Sequence, residues 1–460
     1  MCWAFGFVNS AGWDRDMAIE SGAVLTGQAN TEPFQLRIAA ECDAAMHTQI
    51  TDRTQPDPFR RYAILDPLRG LAALWVFLYH YKFSPSFQSH VPQLHAWLKI
   101  GDMAVPMFFA ISGFCLTLAV RKPTRDGKQR SATEFLKNRI RRIYPTFWAS
   151  IAFILVLRLI TTLIVSPKFA PTWPEYSTAQ WFGVATLLQH FTSDGLWFAR
   201  FSKINGVYWT LAVEFQCYLV MAVAMWFPRY FYRIVACLVF ACLPFALSMP
   251  HFLMSAQWGS CIPYWPWFAS GVGAFWLLEK GVHPQRIFSR YAMPAAVTYL
   301  AIVSGLLLLM ALTDPTIRNH MAVRLLFACV TAVGIWVVSD ADANARNNSV
   351  TKTSRSSRWS TQPSLLLLGT MSYSLYLVHD ELSRNLQQIL RSQGIGIGIV
   401  VDLLIVATTL TAAYGFYRVC ERPVLQLWKR PTTNQQQRTV ESQSILTSKP
   451  VAGTEDRRAA

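Results

Sequence analysis

"ILDPLRGLAALWVFLYHY", residues 64–81, decides the fold class: it is apolar enough for a membrane helix, yet it carries Arg69 near one end and His80 near the other. Asp66-Pro67 reads as a helix start, the aspartate capping free N–H groups and the proline fitting the first turn. Arg69 and His80 are eleven residues apart, which is three turns plus about 20°, or about 16 Å along one stripe of the helix. They share a face and cannot touch. Each by itself is equally well read as a long polar side chain reaching for the nearer membrane surface.

The surrounding chain repeats this apolar character. Of 460 residues, 52% are hydrophobic and only 15% charged, with 17 Trp and 29 Phe, a membrane profile rather than a soluble one. A helix needs about 20 predominantly apolar residues to cross the hydrocarbon core. Runs of that kind fall at roughly 64–82, 101–120, 144–166, 207–227, 231–249, 263–279, 291–312, 320–339, 363–380 and 396–419. The expected fold is therefore all-α, a polytopic membrane helix bundle of about ten transmembrane helices.

The formal charge of +16 does not point to nucleic acid, because the basic residues sit mainly in the connections between spans. "RKPTRDGKQRSATEFLKNRIRR" follows the second span, Arg229 and Arg233 the fourth, and Lys280, Arg286 and Arg290 the sixth. Arg346, Lys352, Arg355 and Arg358 follow the eighth, and Arg422, Lys429 and Arg430 the tenth. Positive-inside topology then places both termini in the cytoplasm. The organisation read from this is a cytoplasmic N-terminal extension over 1–61, a multi-pass membrane domain over 62–425 and a polar, disordered tail over 426–460. The aromatic-rich connection 167–206 suits an interfacial helix or lid. Nine scattered Cys without a C-x-x-C pair indicate neither a disulfide framework nor a metal site. The N-terminus lacks the features of a cleaved signal peptide, so the first span serves as the targeting signal, into the endoplasmic reticulum or the plasma membrane.

Ionisable groups inside spans are functional candidates by default. Glu214 lies well inside the fourth span, with Thr210 and Tyr218 four residues to either side on the same face. In "LGTMSYSLYLVHDEL", Ser372, Tyr376 and His379 share one stripe of the ninth span, with His379 near the same membrane surface as His80. Arg139 and Arg142 share a face just before Pro145, where they serve either topology or a phosphate ligand. Ser112-Gly113 breaks a surface of large residues, which in membrane helices usually means close packing.

The order of these motifs resembles the acyltransferase 3 family of integral membrane acyltransferases, over about Tyr62 to Pro423. The family's Arg-x10-His is matched by Arg69 and His80, and its FFxxSGF segment by Phe108, Phe109, Ser112, Gly113 and Phe114. Its R-x-x-R-I-x-P entry is matched by Arg139, Arg142, Ile143 and Pro145, and its W-[ST]-L-x-x-E segment by Trp209, Thr210, Leu211 and Glu214. Its SYxLYLxH segment is matched by Ser372, Tyr373, Leu375, Tyr376, Leu377 and His379, and a closing E-x-P by Glu421 and Pro423. Ala104 and Pro106 depart from the pattern, standing where the family usually has Gly and a polar residue.

The resemblance implies transfer of an acyl group, commonly acetyl, from acyl-coenzyme A as co-substrate, with no bound cofactor. The acceptor is a hydroxyl of a carbohydrate or glycolipid, or of a small hydroxylated natural product, a secondary metabolite. On this expectation His80 is general base or transient acyl carrier, and Arg139 and Arg142, helped by Arg69, hold the donor's phosphates. Glu214 orients a histidine or the acceptor, and Tyr376 and His379 donate to the oxyanion. Asp66, Ser112, Gly113, Trp209, Thr210, Ser372 and Tyr373 are supporting residues. The rival class is a proton-coupled transporter or lipid flippase, since a helical bundle with intramembrane His, Arg and Glu describes that too.

Overall fold

A computed structural model of the chain describes residues 62, 64–123, 127–165, 171, 173–188, 204–248, 260–287, 292–314, 316, 320–347 and 362–427. The expected extension 1–61 and nearly all of the tail 426–460 lie outside the described residues. Every regular element among the described residues is helical. In chain order they are α1 (Leu65–His80), α2 (Pro85–His90), α3 (Pro92–Leu98), a 3-10 turn (Gly101–Met103), α4 (Ala104–Arg121), α5 (Ala132–Ile164), α6 (Thr178–Thr186) and α7 (Tyr208–Met225). Then come α8 (Phe231–Ser248), α9 (Trp265–Glu279), α10 (Pro284–Ile287), α11 (Ala292–Thr313), α12 (Met321–Asn347), α13 (Pro363–Ser392), α14 (Ile399–Phe416), a π-helical turn (Tyr417–Glu421) and α15 (Arg422–Leu427).

Each of the ten apolar runs is helical, and six helical stretches are long and apolar enough to cross a membrane by length and composition: Pro92–Arg121, Ala132–Ile164, Tyr208–Met225, Ala295–Thr313, Met321–Ser339 and Ile399–Leu427. The other four fall short for visible reasons. The first helix has 16 residues and the sixth 15, the apolar stretch of the fifth, Phe231–Leu247, is likewise short, and the ninth run is interrupted by Ser372, Tyr373, Ser374, Tyr376, His379 and Asp380. The aromatic connection contains a short helix, α6, closed by a capping box between Ser177 and Gln180.

Position in the bundle follows from what each helix buries. The apolar window of the Pro92–Arg121 stretch is 94% buried, against 11% for that of Ala295–Thr313, so α4 is central and α11 peripheral. Two glycine pairs set the tightest crossings. A methyl group on Gly70 would come within 2.6 Å of Gly369 N, and one on Gly369 within 2.4 Å of Asp66 O, so α1 and α13 meet backbone to backbone. A methyl group on Gly113 would lie 1.9 Å from Phe268 O, and one on Gly271 1.8 Å from Ala110 O. Small residues allow this approach where lipid gives helices no hydrophobic reason to associate. Phe77, Phe108, Phe109, Phe114, Phe135 and Phe147 fill the space between helices.

The start of α1 differs from expectation. Its N-cap is Ile64, with no side-chain cap, and Asp66 sits inside the first turn. There its carboxylate accepts from Arg69 Nη1 at 3.2 Å, a stronger attraction than a bond to a free N–H because the donor is charged.

Candidate active site

The glycine crossing of α1 against α13 aligns two polar stripes. At one end, which α1 reaches with its last residue, the His80 and His379 rings are 5.5 Å apart, tilted by 49°. Phe77 meets the His379 ring edge-on at 5.7 Å, and the Tyr376 ring lies at a tilt 5.7 Å from it. His379 is fully buried and His80 half-buried.

His379 Nδ1 is 3.0 Å from Leu375 O and 2.9 Å from Tyr376 O. Carbonyls only accept, so this nitrogen carries the hydrogen. Nε2 is buried without a hydrogen-bond partner, and in the neutral ring it presents a lone pair. The neutral side chain is therefore a proton acceptor, and the expected donation to an oxyanion requires the imidazolium. Tyr376 is also committed: its hydroxyl is 2.9 Å from Val207 O and 2.5 Å from Thr210 Oγ1. These contacts tie α7 to α13 next to the histidines.

Midway along the stripe Glu214 is fully buried. Ser112 Oγ donates to its Oε1 at 2.5 Å and Tyr218 OH at 2.6 Å, so α4 and α7 meet at the carboxylate. The sequence places Tyr218 on the Glu214 face; only the structure adds Ser112, while the neighbouring Gly113 serves packing. Trp209 stacks at a tilt against Tyr264, 5.4 Å away. Glu214 lies within electrostatic range of Tyr376 and Tyr373.

At the other end of α1, Arg69 and Arg139 are buried, and Arg142 lies within electrostatic range of both and of Glu421. The Arg139 guanidinium sits 5.3 Å over the Phe135 ring. Tyr373 OH donates to Ile143 O at 3.0 Å, and Ser374 Oγ donates to Glu421 Oε2 at 2.6 Å. Glu421 ends the π-helical turn, a distortion common at functional sites. Ser372 serves its own helix, donating to Gly369 O at 2.6 Å. The structure thus brings His80 to His379, Glu214 to Ser112 and Tyr218, and Arg142 into range of Arg69, Arg139 and Glu421.

Several buried charges escaped the sequence reading. Arg158, in the third apolar run, bonds Glu381 Oε2 through Nε at 3.1 Å and Nη2 at 2.9 Å, and Ile204 O at 2.8 Å. Asp402 receives Tyr81 OH at 2.8 Å and Ser84 Oγ at 2.6 Å. Both were legible by the rule that singled out Glu214, an ionisable residue inside an apolar run.

A family model described as an acyltransferase domain matches residues 62–418. The chain is 25% identical to Nodulation protein 10 of Rhizobium leguminosarum bv. viciae over 305 residues, 62% of this chain and 76% of that one. It is 22% identical to O-acetyltransferase OatA of Staphylococcus aureus over 338 residues, 68% of this chain and 49% of that one. It is 24% identical to Peptidoglycan O-acetyltransferase OatA of Listeria monocytogenes over 158 residues, 34% of this chain and 23% of that one. The match thus spans less than half the length of either OatA protein. No solved structure matches the chain.

Proposed function

Since the chain belongs to the acyltransferase 3 family, whose acyltransferase domain covers 62–418, we propose that it is a membrane O-acyltransferase that moves an acyl group, acetyl in the first instance, from acyl-coenzyme A to a hydroxyl. The acceptor is a hydroxylated natural product or a carbohydrate. The protein sits in the endoplasmic reticulum or plasma membrane as about ten spans with both termini cytoplasmic, the orientation that the basic connections favour. The observation that carries the reading is the pairing of His80 with His379 on a helix whose opposite end holds Arg69 among further arginines.

In this reading Arg139, Arg142 and Arg69 hold the phosphates of coenzyme A by charge-assisted hydrogen bonds, and the thioester reaches the histidines. His80 takes the proton of the acceptor hydroxyl as its oxygen attacks the thioester carbonyl. The tetrahedral intermediate collapses, the carbon–sulfur bond breaks, and the thiolate leaves with that proton, so ester and free coenzyme A are the products. The Nε2 lone pair of His379, whose ring lies 5.5 Å from that of His80, is a second acceptor for the proton, and Glu214 holds α4 to α7 through Ser112.

The test uses purified full-length protein with acetyl-coenzyme A and follows release of the free thiol. In parallel, extracts of cells with and without the protein are compared for a species heavier by one acyl increment. Loss of that species with the protein, together with thiol release that depends on an alcohol, is expected. Solute movement across vesicles without thioester consumption would instead support the carrier.

A further inference from the structure

Asp380 follows His379 and takes no part in the arrangement above. It is 1% exposed. Its Oδ2 lies 2.8 Å from Arg384 Nη2, one turn further along α13, an ion pair without hydrogen-bond geometry, and Oδ1 is buried without a hydrogen-bond partner. An ionised carboxylate has about four acceptor positions, and leaving one empty away from water is costly. The polar neighbours are already engaged: Glu381 with Arg158, and the Asn205 amide, which donates to Leu377 O at 2.8 Å. Among the described residues there is also space: a methyl group built on Gly206 would meet no atom of them within 4 Å except Asp380 Oδ2, at 3.8 Å. The Asp380 charge acts on both His80 and His379, so carboxylate, space and histidine pair belong to one end of the bundle.

We propose that Asp380, with the space beside Gly206, is a specificity-determining acceptor subsite that takes a hydrogen bond from a second hydroxyl adjacent to the one being acylated. The inference rests on the acyl-transfer reading. A vicinal diol meets both demands: one hydroxyl gives its proton to imidazole and forms the ester, while its neighbour donates to Oδ1 and is not consumed. A mono-alcohol leaves Oδ1 empty, and a site built to bond a hydroxyl strongly rejects an analogue that lacks it. Arg384, half exposed, closes the other oxygen from outside.

The experiment uses the full-length protein in detergent with acetyl-coenzyme A, comparing cis-cyclohexane-1,2-diol with cyclohexanol by thiol release. The wild-type kcat/KM favours the diol by about tenfold or more. Asp380→Asn brings the ratio close to one, mainly by raising KM for the diol. Gly206→Leu, which keeps the carboxylate and fills the space, lowers the same ratio independently. A wild-type ratio near one, or an unchanged ratio in either folded variant, overturns the subsite alone. Absence of thiol release with both alcohols in the wild type overturns the acyl-transfer reading and the subsite with it.

Discussion

His80 and His379 stand on helices from opposite ends of the described chain, yet their rings are 5.5 Å apart. The contact exists because Gly70 and Gly369 let α1 and α13 meet without side chains between them. In the proposed mechanism the two imidazoles act as a unit, and effects of residues that act as a unit do not add.

His80→Ala is therefore expected to abolish acyl transfer, His379→Ala to reduce it by a factor of about a hundred or more, and the double variant to lose no more than His80→Ala alone. Thiol release measured on all three, with gel-filtration profiles matching wild type, checks this. Independent, multiplying losses would separate the two rings functionally.

Arg142→Ala is expected to raise KM for acetyl-coenzyme A about tenfold while changing kcat little, because it removes a charge-assisted contact to a part of the donor that does not react. Dephospho-coenzyme A thioester as the donor locates the contact. If Arg142 holds the 3′-phosphate, the variant and the shortened donor are not additive; additive losses place the guanidinium elsewhere on the donor.

Glu214→Ala removes the carboxylate that both Ser112 and Tyr218 donate to. Two buried hydroxyls then each lose a hydrogen bond to a charged acceptor, at about 1–3 kcal/mol each. A fall in melting temperature, smaller for Glu214→Gln, is the expected result in detergent. Equal melting temperatures for Ala, Gln and wild type would remove Glu214 from the account of stability.

The Arg158–Glu381 pair is buried on both sides. Arg158→Leu removes the near cation from Glu381 and leaves the half-exposed Arg384 at 3.9 Å; it is expected to cost up to about 3–5 kcal/mol, whereas Arg158→Leu with Glu381→Leu recovers much of the loss. A double-mutant cycle by thermal unfolding measures the difference, and additivity would show that the pair does not interact.

Gly271→Ala places a methyl group against Ala110 O, so α4 and α9 must separate. Overpacking of this kind costs about 1–3 kcal/mol. Gly273→Ala, on the same helix with nothing within 4 Å of the added carbon, is the control and is expected to be neutral.

The sequence by itself determined the helical class, the ten apolar runs and the candidate polar residues inside them, because hydrophobic run length and isolated charges are local properties. It also aligned Glu214 with Tyr218, since four residues on a helix fix a shared face. It could not say that Ser112 reaches Glu214 across two helices, or that Arg158 belongs to Glu381. Nor could it show that Asp66 bonds Arg69 instead of capping its helix. Those partners lie on different helices or compete for the same acceptor, so local spacing alone does not select them. Tertiary structure decided them by setting helices distant in the sequence side by side; where α1 and α13 touch at their glycines, the residues about three turns along are brought together. Thus Gly70 against Gly369 fixes His80 against His379.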